Sequence, residues 1–197
     1  MLDRISARFS DALIRRGIVP PEEREIYLYG FAITLSSIAN LCAILAVAVL
    51  FGTPWDAAAY LLAFIPIRIF SGGYHASSYF RCLIVTASVF ACIEALSRTT
   101  PERYQPPLSL LLAALSFMTV WLAAPVVNPA NPLSEERRAF NKKMARILLL
   151  STVLVIAAGV CFAPSAGYLA ALSLFAAAAL IWVQKGLDIK KGGNKAC

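Results

Sequence analysis

Apolar runs near or above the roughly 20 residues that cross a bilayer as a helix recur along the 197-residue chain, and charged residues gather mostly between them. Six candidate crossings follow: Ile26–Phe51, Trp55–Phe70, Leu83–Leu96, Pro107–Ala124, Ile147–Phe162 and Gly167–Val183. Ahead of them, Leu2, Ile5, Phe9, Ala12 and Leu13 recur at helical spacing on one face, with Arg4, Arg8, Asp11 and Arg15 elsewhere. That pattern predicts an amphipathic helix over Leu2–Arg16, ended by Gly17 and the Pro20-Pro21 pair. Such a helix can lie flat on the inner leaflet as an anchor, or offer a face to another amphipathic helix. The expected fold is an all-α, polytopic membrane helix bundle of about six transmembrane helices plus an N-terminal interfacial helix. A single membrane domain is expected over residues 1–197, with a cytoplasmic arm (1–20), a transmembrane region (26–183) and a cytoplasmic tail (184–197).

The second and third crossings are short, at roughly 21–24 Å of helix against a hydrocarbon core near 30 Å. They flank Ser71–Cys82. Either the bilayer thins there, or Ser71–Cys82 dips into the membrane, where non-helical backbone survives only if protein or a water-filled cavity surrounds it. Pro66, which removes one helical hydrogen bond just before this stretch, favours the second reading.

Composition excludes a soluble domain: 59% of the residues are hydrophobic and 15% charged, against about 25% charged in soluble chains. Mean hydropathy is +0.71. The charged, amphipathic N-terminus lacks the early apolar block of a secretory signal. Sixteen of the 18 Lys and Arg residues fall in the N-terminal arm, the segment Arg68–Cys82, the loop after the fourth crossing and the tail. The opposite loops hold only Arg98 and Arg103, so the positive-inside rule puts both termini in the cytoplasm. The net charge of +7 is then matched by anionic membrane lipid and requires no nucleic acid. Five cysteines without a CxxC pair and a single histidine give neither a disulfide framework nor a metal centre, and no cofactor is expected.

Chemistry concentrates in SGGYHASSYFRC, Ser71 to Cys82, which holds the only histidine. Gly72-Gly73 supplies backbone freedom before His75, and Ser77 or Ser78 can cap a helix starting after them. A cysteine in the first turn of that helix meets the positive end of the dipole, with Arg81 and Arg68 nearby, and such surroundings favour the nucleophilic thiolate. On one unbroken helix, His75 and Cys82 would be parted by roughly 10 Å of rise. A working thiol–imidazole pair therefore requires the chain to bend between them. The plain alternative is a headgroup-facing histidine and a small packing cysteine, which is how Cys42, Cys92 and Cys161 read within apolar runs. Two further polar features have structural readings. Asn40 and Ser36-Ser37 can serve helix contacts. Glu94, a functional candidate by depth, can pair with Arg98 four residues on.

RIFSGGYHASSYFRC closely resembles the signature of the accessory gene regulator B (AgrB) family of membrane endopeptidases, with an Arg, a Gly-Gly pair, a His and a Cys in the same order and spacing. APVVNPANPLSEERRAFNKK, Ala124–Lys143, is similar to that family's proline-containing basic loop, and GIVPPEEREIYLYG, Gly17–Gly30, to its acidic lead into the first span. The resemblance implies Cys82 as nucleophile and His75 as base, supported by Arg68, Gly72 and Gly73, with no orienting third residue evident. It also implies an AgrD-like precursor peptide as substrate and a homodimer. Removal of the precursor's acidic tail would leave an acyl-enzyme on Cys82, which cyclisation to a thiolactone or lactone autoinducer would resolve. Arg137, Arg138, Lys142 and Lys143 form a basic patch that can attract that tail; the same residues are equally accounted for by membrane orientation. The rival functions are a non-catalytic small transporter or peptide exporter, and a scaffold that binds through the basic loop.

Overall fold

Helix boundaries in this chain follow capping chemistry as much as hydropathy. The computed structural model describes residues 2–72, 78–126 and 134–193. Among them are seven α-helices: α1 Leu2–Arg15, α2 Arg24–Phe51, α3 Pro54–Ser71, α4 Tyr79–Thr99, α5 Gln105–Ala123, α6 Glu135–Phe162 and α7 Pro164–Gly193. No strand occurs among the described residues. Five helices are long and apolar enough to cross a membrane, namely α2, α4, α5, α6 and α7. The remaining expected crossing, the second (Trp55–Phe70), corresponds to α3, whose 18 residues carry Asp56 in the first turn, Arg68 in the last and Pro66 inside.

Two expectations are corrected. The third crossing is not short: α4 has 21 residues, about 32 Å, because Ser78 caps it before its apolar run begins. The Arg81 amide donates to Ser78 Oγ at 3.3 Å, so Tyr79–Cys82 is helix rather than a non-helical dip. Likewise, the basic segment after the fourth crossing is not a loop. Ser134 caps α6 by accepting from the Arg137 amide at 3.3 Å, and Glu135 and Glu136 complement the helix dipole. With 28 residues, about 42 Å, α6 exceeds a 30 Å core by roughly two turns, and the basic residues occupy its first turns.

The chain divides into two compact units, residues 1–47 with 76–88 and residues 48–75 with 89–197. In the first, α1 forms as predicted, but the side chains it buries include two serines one turn apart, Ser6 and Ser10. Ser10 Oγ donates to the Arg24 carbonyl at 3.2 Å, and Arg24 Nε donates to Asp11 Oδ1 at 2.8 Å. That hydrogen bond holds the Asp11 carboxyl below its ordinary range. Phe9 touches Phe31 with ring centroids 5.6 Å apart yet stays 52% exposed, as an interfacial anchor requires.

In the second unit α7 is central and packs against α3, α5 and α6. Helices in lipid gain little from apolar burial against each other, so close approach of small side chains takes over. Accordingly α5 buries Gln105, Ser109, Ala113, Ser116 and Val120, one stripe of mostly small residues. Ser109 and Ser116 donate back to the carbonyls four residues earlier, each at 2.6 Å, which satisfies their hydroxyls within the helix. Where α6 meets α7 the backbones nearly touch: a Cβ on Gly159 would lie 2.6 Å from Gly167 Cα. Helix α3 buries Ala57, Tyr60, Phe64, Ile67 and Ser71, a seven-residue repeat facing its neighbours. At the far end of this unit, buried Glu94 pairs with Arg98, Nε to Oε2 3.7 Å, as its spacing suggested. Arg98 also donates to the Phe51 carbonyl at the end of α2 and lies 5.4 Å from the Phe51 ring centroid.

Candidate active site

Cys82 occupies the first turn of α4, the position expected for it, and its amide donates to the Ser78 carbonyl at 3.1 Å. The sulfur is half-buried, whereas Cys42, Cys92 and Cys161 are exposed on helix surfaces. Asn40, expected to serve a helix contact, meets it: Asn40 Nδ2 donates to Cys82 Sγ at 3.7 Å. Asn40 lies on α2 about 22 Å of helix beyond Glu25, the last charged residue of that helix. The sulfur is therefore held beside an uncharged, apolar stretch of α2. The only signal for Asn40 was its polarity within an apolar run, and that was assigned to helix contacts.

The other expected residues fall at the end of α3. Arg68 stands half-buried in its last turn, where a cation complements the helix dipole. Gly72 follows as the C-cap with φ 71° and ψ −154°, a backbone region that glycine alone adopts readily. The Val126 amide donates to the Ser71 carbonyl at 2.9 Å. Gly72 pairs with Val126 so closely that a Cβ there would lie 2.2 Å from the Val126 carbonyl oxygen. The glycine expected to free the chain thus also lets two segments touch. Gly73 and His75 lie outside the described residues, and so does the expected His75–Cys82 pair.

The basic residues are brought to the same end of α3. Arg137, Arg138, Lys142 and Lys143 are all exposed on the first turns of α6. Phe140, among them, meets Phe70 at the end of α3 with ring centroids 6.2 Å apart. Farther along, Arg146 stacks over Trp121 of α5 at 4.3 Å. The basic turns of α6 thereby stand beside the end of α3. Among the described residues no group of His, Cys, Asp and Glu could hold a metal ion.

Helices of this length and polarity define a multi-pass, all-α membrane protein. The chain belongs to the accessory gene regulator B family, whose model matches residues 6–184. Neither a curated protein nor a solved structure matches it. Membership gives the chain a role in the processing of agr quorum-sensing peptides, with an AgrD-like propeptide as partner.

Proposed function

We propose that the chain is a membrane-embedded cysteine endopeptidase that removes the C-terminal tail of an AgrD-like precursor and assists closure of the remaining core into a ring. The single observation that supports this most is the setting of Cys82: a half-buried sulfur in the first turn of α4, accepting a hydrogen bond from Asn40. His75 takes the thiol proton as the sulfur attacks the carbonyl joining core to tail. The C–N bond breaks, the tail leaves as an amine carrying that proton, and the core stays on Cys82 as a thioester. A thiol or hydroxyl of the core then displaces the sulfur, closing the ring and returning a proton to Cys82. Exchange of one thioester for another is nearly isoenergetic, and holding both reacting ends in one site raises their effective concentration. Apolar surroundings for the sulfur disfavour the competing attack by water.

Arg68 and Gly72, at the end of α3, support the site, and the basic turns of α6 receive the acidic tail. Both termini then face the cytoplasm, where the excess of Lys and Arg also meets anionic lipid. Co-expression with a small open reading frame adjoining the gene tests the reading. A shortened peptide is expected with the natural chain and with Cys42→Ser or Cys161→Ser, and none with Cys82→Ala. Undiminished shortening by Cys82→Ala would instead leave the exporter or scaffold reading.

A further inference from the structure

Asn40 is an amide in a helix segment that carries no charge from Ile26 to Phe51. Asn40 is half-buried there, and the buried part of an amide costs free energy unless it is bonded. One end has a partner with chemistry of its own, since Nδ2 donates to the Cys82 sulfur at 3.7 Å. The other end, Oδ1, is buried and has no hydrogen-bond partner among the described residues. Leaving an acceptor so is unfavourable, and a purely structural contact does not explain it.

We propose that Asn40 is a further catalytic residue of the Cys82 site: Nδ2–H stabilises the oxyanion formed on the attacked carbonyl, and Oδ1 accepts a backbone N–H of the precursor. This rests on Cys82 being the nucleophile. As the sulfur bonds to the carbonyl carbon, the π pair moves onto the oxygen, which ends one bond from that carbon and beside the sulfur. A donor there must lie about 2.7–3.1 Å from the oxygen. With its nitrogen already 3.7 Å from the sulfur, Asn40 has only to turn its N–H from sulfur to oxygen. The sulfur lone pair enters the new bond at that moment, so the donor is released as the oxyanion appears. Collapse returns the pair to the C=O bond and expels the amine of the tail. One donor and one acceptor on a planar amide match the C=O and N–H of a peptide backbone, whatever its side chains. Carried on α2 rather than on a loop, the amide is pre-positioned, and its apolar surroundings strengthen the hydrogen bond.

The test is steady-state tail release by the purified full chain in lipid vesicles, using the precursor from the adjoining open reading frame, with Asn40→Leu and Asn40→Ala. In both variants kcat is expected to fall about 10²–10³-fold, with a smaller rise in KM. The thermal unfolding midpoint should not fall, because an apolar replacement removes an unsatisfied group. A role as structural glue between helices predicts the reverse, a lowered midpoint with kcat kept among the folded molecules. The proposal is overturned by kcat within threefold of the natural chain, by a loss confined to KM, or by a lowered midpoint in both variants. Cys82→Ala, run alongside, judges the nucleophile separately: tail release without that sulfur defeats the endopeptidase reading, whatever the Asn40 variants do.

Discussion

Gly72→Ala is expected to reduce precursor processing at least tenfold. Two costs act at this one position. The backbone sits at φ 71° and ψ −154°, which an alanine adopts at about 1–3 kcal/mol. The added Cβ would also stand 2.2 Å from the Val126 carbonyl oxygen, a backbone atom that no rotamer can move away. Overpacking of that kind adds about 1–3 kcal/mol. The chain can relieve both costs by opening the Ser71–Val126 hydrogen bond, which detaches the start of the candidate loop from the segment after α5. Gly52→Ala is the control, since Gly52 has φ 70° but no heavy atom within 4 Å of a built Cβ. It bears the backbone cost alone and is expected to process the precursor at close to the natural rate. Equal losses in the two variants, measured as product per amount of chain in the membrane, would contradict the close approach of Gly72 and Val126.

Arg98→Ala is expected to lower the thermal unfolding midpoint in detergent by about 5–10 °C, equivalent to roughly 2–4 kcal/mol. Arg98 does three things at once. It pairs with Glu94, donates to the last carbonyl of α2 and covers the Phe51 ring. Glu94 itself is fully buried, so loss of its partner leaves an uncompensated carboxylate. Neutralising that carboxylate as well, in the double variant Arg98→Ala/Glu94→Gln, should restore at least half of the lost midpoint. If the double variant melts no higher than Arg98→Ala alone, the carboxylate is not the source of the loss.

What could be seen in the sequence is set by what a bilayer enforces. Lipid offers no hydrogen bonds to backbone, so apolar helices are obligatory and their positions follow from hydropathy alone. Helix ends are different, because a helix needs capping and backbone bonding rather than grease. Ser78 and Ser134 begin α4 and α6 well before their apolar runs, which is why the former seemed short and the basic turns of the latter seemed a loop. The amphipathic arm was legible from its spacing, but its burial of Ser6 and Ser10 was not, since small polar residues signal close approach only once a neighbour is known. Among the candidate residues, Cys82 stands in the first turn of α4 as expected, while Arg68 and Gly72 stand at the end of α3, where the sequence suggests a loop. Asn40 was legible as a helix-contact residue but its meeting with Cys82 was not, because that depends on the register of two helices 42 residues apart in sequence, and periodicity within either helix is silent about it. The approach of Val126 to Gly72 escaped because it joins two segments beyond helix ends, far apart in sequence, where neither hydropathy nor periodicity gives a signal.

At the centre stands the claim that Cys82 carries the precursor's core as a thioester. The natural chain, mixed in vesicles with the precursor, quenched in acid and digested, should yield a Cys82 peptide heavier by the mass of the precursor without its tail, and hydroxylamine should remove that mass. Tail released at the full rate while Cys82 never gains it would contradict the account.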